Sequence, residues 1–560
     1  SSVAHQTEYG FLHVLVRDVA YWQIPRRDRI AKHRAVAEWI DRLAGDRVTN
    51  HAELVAHHYA EALEIARGLG AEDQRPELSE RARTFLTLAG DAAWTVEVTQ
   101  AESFYRRAHA LADENDPVHG RLLSRLAEVA DLTGRLAEAE RASRQAIVEL
   151  LGHGDLLGAG EAMGVLGATL WRLGRPEAER RRVATEAIRT LEQLEPGPEL
   201  VRAYSRMATH ELHAGRADAC GEWSRRALAV AERLGVPALQ VQPLNHLGIA
   251  RFESGDEAGI DDIREAVRLG LEAGLTWETA TAHSNLAATI WVTQGPVAAL
   301  EVKRAAREFA ASRGLGALEK GIRAESLWQQ VDAGAWDDAL VSADEVLAWD
   351  LEGGPSRMSV MAQTVKVRIL AERGRTAEAL ELEPVLLDRA RELRDPQDLG
   401  PALAAGAALR IALGDIGGAA ALIDELEHVT RGRDPSQRVH ELPQAARVCL
   451  AAGTIHVAEA LVPARGAPTY TRARLCLTAA GATIAEAHGD LTAAADLHAA
   501  AADGWRAFGN PFEAAHSRVG HARCLVALGR SDEAPPDRRE AERIARDLLA
   551  VVLLREAERS

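Results

Sequence analysis

Apolar residues along this chain recur at helical spacing in groups, and each group stops at a glycine followed by a short polar turn and an alanine. In the stretch Val165-Leu166-Gly167-Ala168-Thr169-Leu170-Trp171-Arg172-Leu173-Gly174 the pattern predicts the last turns of one helix. Eleven such glycines (Gly134, Gly174, Gly215, Gly255, Gly295, Gly334, Gly374, Gly414, Gly453, Gly489 and Gly529) stand 36 to 41 residues apart. A period of that length means one helical hairpin copied many times, and stacked hairpins form a solenoid with one continuous core.

Small residues keep the same phase. Seven positions before the glycine lie Gly167, Ala208, Gly248, Ala288, Ala446, Ala482 and Ala522, which lets a neighbouring helix approach closely. Four or five positions after it come Ala139, Ala178, Ala219, Gly259, Ala299, Ala339, Ala379, Ala419, Ala458, Ala494 and Ala534, marking the crossing of the second helix against the first. An earlier hairpin, 79–112, fits without the glycine, with Val96-Glu97-Val98 at its turn. Connectors such as Glu195-Pro196-Gly197-Pro198 and Leu351-Glu352-Gly353-Gly354-Pro355 stop one helix and release the next. After Pro535-Pro536, residues 537–557 read as one amphipathic helix, expected to cap the last open face.

These positions resemble tetratricopeptide repeats, lengthened by about six residues beyond the 34-residue form. The resemblance implies an all-α, right-handed α-solenoid of about twelve hairpins over residues 71–536, closed by a capping helix at 537–560. Residues 1–70 differ. Phe11-Leu12-His13-Val14-Leu15-Val16-Arg17-Asp18-Val19-Ala20-Tyr21, Ile24-Pro25-Arg26, Ala37-Glu38-Trp39 and Leu54-Val55-Ala56-His57-His58-Tyr59 are similar to the junction that follows the ATPase of bacterial STAND-type signalling proteins, notably those carrying a class III nucleotide cyclase. Asp503-Gly504-Trp505-Arg506-Ala507-Phe508-Gly509-Asn510-Pro511-Phe512 resembles their closing repeats. That likeness implies a non-catalytic arm that senses a ligand or binds a protein or peptide, and that regulates an upstream ATPase and a nucleotide cyclase. The sensor region of a LuxR-class transcription regulator, or a free-standing adaptor, would share the layout.

Composition narrows the function classes. Of the 560 residues 47% are apolar but only 4% aromatic, which suits close helix packing better than a sheet sandwich. The formal charge of −17 opposes direct binding to nucleic acid or an anionic membrane. Cys220, Cys449, Cys476 and Cys524 share no closely spaced set, and with the polar start Ser1 to Gly10 they predict a reduced, cytoplasmic protein. No GxxxxGK[ST] loop surrounds any of the four lysines, and Gly152-His153-Gly154-Asp155-Leu156-Leu157-Gly158 has the wrong spacing for a dinucleotide loop. His51, His57 and His58 lack an HExxH frame and read as packing residues beside Tyr59. No catalytic, cofactor-binding or metal-ligating set is therefore expected.

The binding candidates lie on the first helices. Ten and thirteen residues before successive glycines stand Arg202, Ser205, Gln242, Asn245 and Asn285, with Glu325 and Trp328 one repeat on. Asn245 and Asn285 occupy identical phases, and carboxamides repeated in phase can bond an extended peptide backbone as donor and acceptor together. The expectation is a partner-binding groove over about residues 200–330, centred on Asn245, Asn285 and Trp328, open to a protein, a peptide, the chain's own ATPase module or a small molecule. Trp171 and Trp291 fall near the same helix ends and read as core-filling or ligand-holding aromatics.

Overall fold

A computed structural model describes residues 13–560 apart from 46–48, 50, 95–96, 114, 174, 313–315, 354–356 and 394. Phe11, Leu12, Val96, Gly174, Gly354 and Pro355 of the sequence patterns thus lie outside the described residues. Every long element among them is an α-helix, most joined to the next by a short turn or a brief 3₁₀ segment, and no strand occurs among them. The chain is all-α and built from consecutive helical hairpins.

The ten described glycines of the period all take positive φ, from +70° at Gly453 to +106° at Gly295. An L side chain is strained there, which explains why glycine holds the position. In most turns the following N–H reaches back five residues to close the helix, as in Arg135 to the Ala130 carbonyl at 2.8 Å and Arg375 to Leu370 at 2.9 Å. Gly295 is followed by Pro296, which has no N–H, so the glycine's own N–H bonds the Ile290 and Trp291 carbonyls at 3.2 Å. Aspartates after other turns cap the second helix: Asp415 accepts from the Gly418 N–H and Asp490 from the Ala493 N–H.

Most of the small residues are buried between helices, whereas Ala178 and Ala288 are exposed. Ala208, Ala299, Ala379, Ala446, Ala482 and Ala522 have no exposed surface. Gly248 and Gly259 go further, for a Cβ on Gly248 would lie 2.5 Å from the Gly259 carbonyl oxygen, so the two backbones touch. Alternate helices, the first of each hairpin, also touch one another: Pro117–Leu132 meets Leu156–Arg172, and Val241–Glu253 meets Trp277–Gln294. They form the inner row of the stack.

Backbone contacts divide the chain into two compact units, 1–207 and 208–560. In the first, one core joins Ile30, Tyr59, Phe85, Leu122 and Val129, so packing runs across residue 70 without a break. Helix Val14–Gln23 buries none of its residues and is held by Arg29, whose guanidinium lies over the Tyr21 and Trp22 rings and donates to the Trp22 and Ile24 carbonyls.

The second unit corrects the expectation for its end. Residues 537–557 are two helices, Pro535–Leu548 and Val551–Arg559, broken where Leu549 takes φ +58°. Leu548, Leu553 and Ala557 enter a core with Leu327, Val331, Trp336, Val365 and Ile369, residues some two hundred positions earlier. The unit folds back on itself, because its last helices carry an apolar face that an earlier part of the same unit can cover.

Candidate functional site

The inner row of the second unit is filled by its own side chains. Asn245 is buried, and the Asn285 amide donates to its Oδ1 at 3.2 Å. The in-phase carboxamides thus face each other across adjacent repeats. Gln242 is partly buried one turn earlier. Glu325 accepts from the Lys303 ammonium at 2.6 Å and from the Ser284 hydroxyl. Lys303 is only 2% exposed, so this pair satisfies a cation that the second helix buries. Trp328 is partly buried and borders a cavity of about 10 Å³ lined by Arg368, Ala405, Glu441 and Gln444, room for one water molecule.

Beyond those residues lies a set of buried ions that no local pattern reveals. Asp332 is 4% exposed and accepts from the Trp291 indole N–H at 2.9 Å and from Arg472 Nε at 3.0 Å. The Arg472 guanidinium lies 4.4 Å above the Trp291 ring, on which His440 also stacks. A second pair joins Glu513 to Arg447 through two bonds of 2.6 and 2.9 Å, with Arg368 at 3.7 Å. Burial pushes the Glu513 carboxyl up, but the Arg447 guanidinium wins and holds it down at about 2. Glu372 has the opposite fate. One of its oxygens finds no partner, and burial raises its pKa despite His516, Arg447 and Arg368 nearby. Sequence reading missed these pairs because Arg447 and Glu513 lie 66 positions apart and Asp332 and Arg472 lie 140 apart.

The inner row of the first unit is less occupied. Arg202 is exposed and pairs with Glu199 at 3.1 Å, while Ser205 is buried and donates to the Val201 carbonyl of its own helix. Arg206 lies across Gly164, so close that any Cβ there would collide with its guanidinium. It forms no hydrogen bond or ion pair among the described residues, and the surrounding protein pulls its pKa below the ordinary value. Glu161, one turn from Gly164 on the neighbouring inner helix, has its pKa raised by burial. Arg125, Arg202 and Arg121 are the cations that act against this rise.

Of the aromatic candidates, Trp291 is taken up by Asp332 and Arg472, whereas Trp171 is half exposed at the end of its helix. His58 is taken up by the ring of His33, Nδ1 to Nδ1 at 3.0 Å, as a packing residue would be. Many of the buried polar groups described in the second unit pair with one another, while others, such as one Glu372 oxygen and His440 Nδ1, have no partner among the described residues.

No protein-family model matches the chain, and no curated protein matches it. Solved structures share its helical-repeat character at low similarity. A Rap protein complexed with competence and sporulation factor is 11% identical, covering 58% of this chain and 98% of that one, with a TM-score of 0.41. The apo form of RapI is 12% identical over 60% and 97%, with a TM-score of 0.36. The anaphase-promoting-complex assembly Cut9-Hcn1 is 14% identical over 85% and 96%, also at 0.36. The assignment to stacked helical hairpins rests on the chain's own packing.

Proposed function

We propose that this chain is a non-catalytic interaction module whose inner row holds a protein or peptide partner, and that it acts as the regulatory arm of a STAND-type ATPase linked to a nucleotide cyclase. The observation that carries the binding part is the charge left on the inner row of the first unit: Arg206, without an ion pair and lying over Gly164, faces the same row as Glu161 and Arg202. A guanidinium kept from pairing within its own fold is available to a carboxylate brought by a partner. Arg202 and Ser205 belong to the same proposal in the first unit, and Gln242, Asn245, Asn285, Glu325 and Trp328 are proposed as binding positions on the second unit's own inner row.

The mechanism would be a bias of states. A partner bound along an inner row favours one conformation of that unit, and that conformation favours one state of the attached ATPase. The regulatory part rests on the likeness of residues 11–59 and 503–512 to signalling ATPases. Its test is the ATP hydrolysis rate of the ATPase-bearing protein with wild-type arm, with Arg206→Ala, and with Asn245→Ala combined with Asn285→Ala. A changed rate or a lost partner response in these variants is expected; identical rates and responses in all three would defeat the reading.

A further inference from the structure

Three consecutive helices of the second unit, Thr471–Ala487, Leu491–Phe508 and Pro511–Ala527, bring Glu486, His498 and Cys524 together. One donor atom from each lies within 4.8 Å of the other two. Cys524 has no exposed surface and no disulfide, and His498 is 4% exposed. A carboxylate, an imidazole and a thiol in one buried spot form a mixed donor set suited to a borderline-soft divalent cation.

The spacing fits such an ion. His498 Nε2 and Glu486 Oε2 are 3.3 Å apart, long for a hydrogen bond between these groups. Metal bonds of roughly 2.0–2.1 Å from nitrogen and oxygen at a tetrahedral angle put those two atoms about 3.3 Å apart. The sulfur needs to approach by about an ångström to reach its own place on the tetrahedron. Shape also places the imidazole. A Cβ on Gly520 would lie 2.5 Å from its Nε2 and 2.6 Å from its Nδ1, so only glycine leaves room for the ring, and Nδ1 finds no partner.

Charge points the same way. Arg523 donates to both Glu486 oxygens, at 2.7 and 2.8 Å, and to Glu556 at 2.9 Å, so one guanidinium answers two carboxylates. The carboxylate keeps lone pairs that Arg523 does not use, and a dication beside it and a thiolate would leave the spot neutral.

We propose that Glu486, His498 and Cys524 bind one zinc ion, with water as the fourth ligand, and so pin the three helices together. Binding breaks the Cys524 S–H bond, forms the metal–sulfur bond and releases one proton to solvent, and His498 binds through Nε2 as the tautomer with its proton on Nδ1.

The probe is cobalt(II), titrated into the full chain after chelator treatment and displaced by zinc. One equivalent should bind at micromolar metal with a near-ultraviolet sulfur-to-cobalt band. Cys524→Ser should abolish the band and His498→Ala should weaken binding at least about tenfold. Cys449→Ser, a buried thiol of the same unit outside the cluster, should leave it intact. Circular dichroism checks that each variant is folded, and Glu486→Gln replaces any that is not. A band that survives Cys524→Ser, or no stoichiometric cobalt binding by the stripped protein, overturns the site.

Discussion

Glycine at the turns has two different reasons, and alanine substitution separates them. Gly414 has φ +78° and open space around it, so Gly414→Ala should cost only the left-handed backbone, about 1 kcal/mol. Gly295 combines φ +106° with ψ 170°, a region close to exclusive to glycine, and its added Cβ would collide with the Phe508 carbonyl. Gly295→Ala should therefore lower stability by at least about twice as much in a denaturant titration; equal losses would mean that contact with Phe508 does not matter. A buried carboxylate gives a test of opposite sign. Glu372 is 6% exposed with an unpaired oxygen and a raised pKa, so its charge opposes folding at neutral pH and the penalty fades as pH falls and it protonates. Glu372→Gln should raise the melting temperature at pH 7, by an amount equivalent to about 1 kcal/mol, and the gain should shrink in acid. At this level the turn glycines and the equal phase of Asn245 and Asn285 were legible, but not that the two amides bond each other, since Nδ2–Oδ1 geometry depends on how adjacent repeats are set.

Helices here are held partly by ions that cross from one to another. Arg472 on Thr471–Ala487 reaches Asp332 at the end of Leu327–Asp332, and both are buried. Arg472→Met would leave the Asp332 carboxylate with only the Trp291 N–H, at a cost of about 3–5 kcal/mol. Adding Asp332→Asn should recover much of that loss, because the uncompensated charge disappears; a double variant as unstable as the single one would show that packing, not charge, carries the effect. The closing helices make the same point for apolar faces. Their amphipathic pattern was legible from Pro535 onward, but the break at Leu549 was not, since no glycine or proline marks it. The pattern also could not say whether the apolar face caps a stack or meets Trp336 and Val365, because both would bury it equally well.

Across the second unit, ionised carboxylates with depressed pKa set its response to acid. Burial alone would raise Glu486 and Glu513, but Arg523 and Arg447 bring both to about 2, well below the ordinary 4.5. Groups whose folded pKa is depressed add stability above the unfolded value and lose it as pH falls through the folded one. Stability should thus decline between about pH 4.5 and pH 2, measured by thermal melts across that range; a flat profile there would mean the two pairs stay equally strong in the unfolded chain. Local order was decided by sequence alone. Helical spacing, the left-handed glycine and the small residues at crossings each act within a few turns of one hairpin, so a period of about forty residues is enough to specify a helical-repeat fold. The return of the last helices onto residues 324–369, the pairing of Asp332 with Arg472 and the meeting of Glu486, His498 and Cys524 were decided only by tertiary structure. Burial and Coulombic attraction depend on distance in space, and the curvature that brings those residues together is the sum of many small packing angles that no single repeat encodes.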